Sequence, residues 1–151
     1  PDLCLCDDMA TWLGTYTSTG RMLDWLASTS LVVGYSGEIA VHPFIGIQSQ
    51  PGRLDSSIDV ARYLAVTYPI DFIIRVAEAL PYQTLWRTIR GYQASMESIL
   101  FDEAHATFWP RCHVEVGGSQ APKMDEAGIA MAVVSISATF EKMWRDDRYP
   151  R

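Results

Sequence analysis

The 151-residue sequence contains no asparagine, so it carries no N-glycosylation sequon. Lysine is almost as scarce: Lys123 and Lys142 stand alone among twelve basic residues, the rest being arginine. Twelve basic against eighteen acidic residues give a formal charge of −6, which argues against a protein held to nucleic acid by general phosphate attraction. Cysteine is limited to Cys4, Cys6 and Cys112, an odd number that does not suggest a secreted disulfide framework, and reduced thiols are expected. No stretch approaches the roughly 20 apolar residues of a membrane-spanning helix. The opening PDLCLCDDMA is acidic where a signal peptide carries Lys or Arg, which reads as a cytosolic chain. No Gly-Lys pair exists, so there is no phosphate-binding loop of the Gly-Lys-Ser/Thr type.

What is present is the make-up of one globular domain: 48% hydrophobic, 11% aromatic and 20% charged residues, with no internal repeat. A chain of this length can bury roughly 70% of its unfolded surface and needs no staple. Residues 1–151 are therefore read as a single domain. Two stretches rich in Gly, Pro and Ser, SQPGRLDSS (49–57) and GGSQAPKMDEAG (117–128), read as exposed loops. Asp7 and Asp8 suit the start of a helix, after which Met9, Trp12, Leu13, Tyr16, Leu23 and Leu26 approximate a helical stripe that TSTG at 17–20 weakens.

The segment GEIAVHPFIGIQSQ (37–50) reads as a strand whose Pro43 places it at an edge or a bulge. The clearest pattern lies over 60–76, where Val60, Leu64, Val66, Tyr68, Ile70, Phe72, Ile74 and Val76 share one parity, interrupted by Arg62. The other parity, including Tyr63, Thr67, Asp71 and Arg75, is mixed and lightly charged, a face suited to a partner. Leu85, Ile89, Tyr92, Met96 and Ile99 form the stripe of a helix entered just after Pro81. CHVEV (112–116) and GIAMAVVSISATF (128–140) read as two more strands, with Ala130, Ala132, Val134, Ile136, Ala138 and Phe140 inward. The order α-β-β-α-β-β implies an α+β domain, mainly antiparallel, with helices on one face of the sheet.

The motifs with chemical content are weak. Asp102-Glu103-Ala104-His105 spells a helicase box, but without a phosphate loop it reads as the polar end of a helix. Cys4 and Cys6, or Cys112 with His113 and His105, lack zinc spacing, since His113 falls on the opposite side of a strand from Cys112. Gly34-Tyr35-Ser36-Gly37 misses the nucleophile-elbow spacing and reads as a turn, and His42 is a lone histidine before Pro43. The acidic pairs fall at predicted element ends or loops. No catalytic residue, cofactor or metal ligand is assigned. The tail EKMWRDDRYPR (141–151) sets Lys142, Arg145, Arg148 and Arg151 among Trp144 and Tyr149, the composition of an interface hot spot, and is expected to contact a partner subunit.

Taken together, VHPFIGIQ (41–48), RYLAVTYPIDFIIRVAE (62–78), LWRTIRGYQASMESIL (85–100), CHVEVGG (112–118) and GIAMAVVSISATFEKM (128–143) follow an order that resembles the tail terminator, or tail completion, proteins of tailed bacteriophages. The likeness spans about residues 7–143 and rests on pattern rather than on a diagnostic motif. It implies a structural virion protein, made in the host bacterial cytoplasm, that assembles into a ring, commonly a homohexamer. Such a ring stops tail-tube growth and joins the tail to the neck, meeting the tail tube protein and the neck or head-completion proteins. DNA would be only passing cargo, and no membrane is involved. Under this reading Tyr63, Thr67, Asp71 and Arg75, with Trp144, Arg145 and Arg148, are expected at subunit contacts. The alternatives are another head-tail connector subunit, or a small ligand-binding or enzymatic domain whose pocket between helices and sheet is lined by Trp12, Trp86, Trp109 and Tyr92.

Overall fold

Alternation of apolar and mixed residues along the two longest strand segments dictates a sheet with one greasy face, and the helices supply the cover. The computed structural model describes residues 2–34, 43–55, 63–77, 81–124 and 128–143. Its elements are α1 (Asp2–Gly14), β1 (Leu31–Val33), β2 (Phe44–Ser49), β3 (Arg53–Asp55), β4 (Tyr63–Ala77), α2 (Tyr82–Asp102), α3 (Ala104–Phe108), β5 (His113–Met124) and β6 (Ile129–Met143). The sheet runs β1-β2-β4-β6-β5, with β3 pairing the same strand β4 ahead of β2. Among the described residues only β1 and β2 are parallel, and every other pair is antiparallel. This is the expected mainly antiparallel α+β class.

The centre of the sheet is a ladder of 15 consecutive residue pairs, from Tyr63↔Met143 to Ala77↔Ile129. Ile70, Phe72, Ile74 and Val76 of β4 are buried on one face with Ala130, Ala132, Val134, Ile136, Ala138 and Phe140 of β6, as their parity requires. Ile45 and Ile47 of β2 join the same core. Burying each of the large aliphatic or aromatic side chains in this row contributes roughly 1.5–3 kcal/mol. From α2, Leu85, Ile89, Met96, Ile99 and Leu100 close over it, and α1 adds Leu5, Cys6, Met9 and Leu13.

Several expectations are corrected. The first helix starts at Asp2, so Asp7 and Asp8 are exposed residues inside α1 rather than its cap, and Asp8 pairs with Arg111. The helix ends at Gly14, and Leu23 and Leu26 reach the core through turns such as Leu23 N–H to Tyr16 O (2.9 Å). Thr15, Thr17 and Thr19 with Gly20 explain this, because β-branched residues and glycine disfavour helix. A three-residue strand, β1, follows where no strand was expected. Pro43 does not set β2 at an edge; it lies just before the strand, which sits between β1 and β4.

Both supposed loops contain strand. Arg53–Asp55 pairs with β4 over Ala65–Thr67, so β2 and β3 run along one side of β4 with a break at Gln50, Pro51 and Gly52. The break sits opposite Pro69, whose carbonyl accepts Gln50 N–H at 2.8 Å. The N–H that proline lacks would have pointed the same way, so the ladder has no donor there. In β5, Gly117 and Gly118 form a bulge, with register shifts between Val116 and Gly118 and between Gln120 and Lys123. Gly118 has φ +115°, and a Cβ on Gly117 would lie 2.7 Å from the Ser135 carbonyl oxygen. Glycine thus marks a bulge in an edge strand here, not a loop.

On α2 the core position expected for Tyr92 belongs to Gln93, which is 2% exposed. Its amide nitrogen donates to Gln120 O (2.6 Å) and Val133 O (3.1 Å), fastening the helix to both strands of the β5-β6 hairpin beside the second register shift. Tyr92 instead stacks on Trp25, ring centroids 3.9 Å apart.

Candidate functional site

The sheet face turned away from the helices carries the residues that sequence singled out. Thr67, Asp71 and Arg75 recur every four residues on β4, so they stand in one line, each step spanning about 13 Å at strand rise. All three are half-buried. Each is tied to its neighbours: Thr67 shares a hydroxyl hydrogen bond with Thr139 (2.9 Å) across the ladder. Asp71 accepts from Ser135 Oγ (2.6 Å) on one side and Gln50 Nε2 (3.2 Å) on the other. Arg75 lies opposite Phe44 of β2 and Met131 of β6. The face is a polar lattice in which Thr67 and Asp71 are hydrogen-bonded sideways, bordered by Phe44 at 1% exposure and Val133 at 7%. Tyr63 occupies the same parity, paired through its backbone with Met143. The Tyr63 side chain and Trp144, Arg145 and Arg148 lie outside the described residues, as do Arg62 and His42.

A second cluster sits where α3 turns into β5; sequence reading weighed His105 with His113 only as metal ligands beside Cys112 and did not see Trp109 between them. The His105 ring lies 4.8 Å from that of His113 and 5.7 Å from that of Trp109, and Trp109 is 6.1 Å from His113. His113 Nε2 is 3.0 Å from Glu115 Oε1. The spacing His105-x3-Trp109-x3-His113 was the available signal, but it is helical only for its first half; the turn after Trp109 carries the second histidine onto a strand. Cys112 is buried at 3% while His113 points out, so the two diverge as strand parity demands. Burial pushes the Cys112 thiol above its usual range, against the opposing pull of Arg111. Among the described residues no group of three His, Cys, Asp or Glu side chains is placed to hold a metal ion.

Asp102-Glu103-Ala104-His105 spans the joint between α2 and α3, the polar helix end expected of it. Glu103 accepts the Tyr16 hydroxyl, and burial with this bond raises the Tyr16 pKa. Cys4 is exposed and Cys6 buried on α1; burial first, then Asp2 and Asp7, push the Cys6 thiol to about 11. The four aromatics expected to line one pocket do not converge. Trp12 packs edge-on against Tyr16 and Phe108, Tyr92 lies under Trp25, and Trp86 and Trp109 are 43% and 58% exposed near opposite ends of the α2–α3 segment. One cavity, of about 430 Å³, lies between the start of α1 and the ends of β1 and β2, lined by Leu3, Cys6, Val33, Ile47, Ser49 and Gln50 among others; another, of about 350 Å³, is lined by Trp86 with Tyr82, Gln83 and Arg87, without the other three aromatics.

No protein-family model matches the sequence, and no curated protein matches it. No helix among the described residues is long and apolar enough to cross a membrane.

Proposed function

We propose that this chain is a structural subunit of a bacteriophage tail, assembling as a ring at the head-proximal end of the tail tube, where it ends tube growth and joins tail to neck. The observation that carries this reading is the sheet: helices cover one face, while the other presents the polar line Thr67, Asp71 and Arg75, the first two hydrogen-bonded across the ladder, beside Phe44 and Val133. A half-buried polar face of this kind suits contact with a neighbouring subunit better than chemistry, because the Thr67 hydroxyl and the Asp71 carboxylate are already engaged with cross-strand neighbours. Identical copies meeting through unlike surfaces close into a ring when the rotation permits, with a homohexamer the expected form. The tail tube protein and the neck proteins are the further partners, and the acidic chain lets DNA pass as cargo without gripping its phosphates.

The test is native mass at several concentrations, with and without purified tail tubes. A closed ring, or a monomer that forms rings on tubes, supports the proposal. A strict monomer unaffected by tubes overturns it.

A further inference from the structure

Among the described residues the sheet's edges are β5 on one side and, on the other, β1, with β3 further along the same side of β4 as β2. Natural sheets guard such edges with bulges, proline and lysine, since an unpaired strand is a template for another. The second half of β5 is guarded in this way, by two register shifts together with Pro122 and Lys123. Its first half has no bulge, proline or lysine, and its one acidic residue is Glu115. His113–Val116 runs in regular register against Thr139–Ile136, and its apolar side chain Val116 is 58% exposed, as is Trp109 just before it. The opposite edge has no proline, lysine or other charge: β1 reads Leu31-Val32-Val33, all half-buried.

The directions of these edges are complementary. β1 runs with β2, β2 against β4, β4 against β6, and β6 against β5, so β1 and β5 point in opposite senses. If one copy's sheet continues into the next with the helices on the same side, β5 meets β1 as an antiparallel pair, the more stable arrangement per residue. The two stretches are similar in length, four residues against three. Val32 stands opposite Gly46 and Glu115 opposite Ser137, which puts both side chains on the face away from the helices, hence on one face of the joined sheet.

We propose that copies of this chain join edge to edge, His113–Val116 of one pairing with Leu31–Val33 of the next. The contact rests on the ring reading and gives it its lateral bond, separate from the Thr67, Asp71 and Arg75 face. It is head-to-tail, so it uses a different edge on each partner.

The experiment uses the full chain carrying Cys4→Ser to remove the exposed thiol. Val32→Cys and Glu115→Cys are made separately and mixed under mild oxidation, and Val116→Lys is made to guard the β5 edge. The expected result is a disulfide-linked dimer only in the mixture, with at least tenfold weaker self-association of Val116→Lys at unchanged circular dichroism. Self-linking of either cysteine variant alone means like edges meet, and overturns the proposal. Rings that persist with no mixed disulfide and no effect of Val116→Lys overturn the edge contact but leave the ring reading standing. A parent protein that is monomeric with and without tubes removes both.

Discussion

Gln93 offers the sharpest check on how the helical layer is tied to the sheet. Its amide is the donor to two carbonyls on adjacent strands, one at an exposed residue, Gln120, and one at the buried Val133. In Gln93→Leu the side-chain volume is nearly kept and both donors vanish. The Gln120 carbonyl can turn to water, whereas the Val133 carbonyl loses its side-chain donor in a buried setting, a loss of about 1–3 kcal/mol. The weakened hold on the hairpin adds to this, and the apolar gain of leucine offsets part, so a net destabilisation of about 2 kcal/mol is expected. For a domain of this size that lowers the melting temperature by roughly 4–8 °C. Urea unfolding gives the free energy, and hydrogen exchange should show faster opening of residues 119–124 than of β4. Gln93→Glu sharpens the test. Its buried carboxylate faces two carbonyls, so its folded pKa rises above that of the unfolded chain. Its stability is therefore greatest below the unfolded pKa and falls as pH rises through the folded one, toward neutral. A leucine variant within about 0.5 kcal/mol of the parent, with unchanged exchange at the hairpin, would refute the argument.

Phe72→Ala, which opens a cavity in the centre of the β4-β6 ladder, should cost about 3–5 kcal/mol in urea unfolding. Gly117→Ala drives a Cβ to 2.7 Å from the Ser135 carbonyl oxygen, a backbone atom; it should destabilise by about 1–3 kcal/mol and shift the amide resonances of Ser135 and Ile136. Among the thiols, Cys4 should react with iodoacetamide at neutral pH while Cys6 and Cys112 stay protected until the chain unfolds. Because the Cys6 thiol is raised from 9.0 to about 11, its contribution to stability is complete below pH 9 and lost as pH climbs toward 11. Cys6→Ala should flatten that alkaline limb of a thermal-melt series, and an unchanged slope would refute the assignment.

The sheet class and its two longest strands were legible because their alternation runs for many residues and burial follows parity with little interruption. Long helical spacing likewise revealed α2. What failed was punctuation. Gly117, Gly118, Pro122 and Pro51 have the composition of loops, yet they occupy bulges and a strand break whose cause, Pro69, sits on a different strand. The first helix was misplaced because Asp7 and Asp8 resemble caps, and nothing local distinguishes a cap from two exposed residues one turn inside. Gln93 was invisible for a related reason: a polar residue at a core position is read as surface unless its acceptors, 27 and 40 residues away, are known. The line Thr67, Asp71 and Arg75 was legible as a face from parity alone. Its cross-strand ties were not, since they depend on a register set over 60 residues later in the chain.

The place of β6 has a consequence for how the molecule comes into being. It is the latest strand among the described residues, yet it lies between β4 and β5, and its partners in β4 precede it by 52 to 80 residues, from Ala77↔Ile129 to Tyr63↔Met143. During synthesis α2 can coil and β2 can pair with β4, but the row Ile70, Phe72, Ile74 and Val76 has only half its sheet until β6 arrives. Pairings this distant form slowly, typically in milliseconds to seconds. Until then the nascent chain exposes one long apolar edge, which is the form a chaperone binds and a stray strand captures. A stop codon before residue 129 would therefore leave an aggregating half-sheet rather than a smaller folded protein.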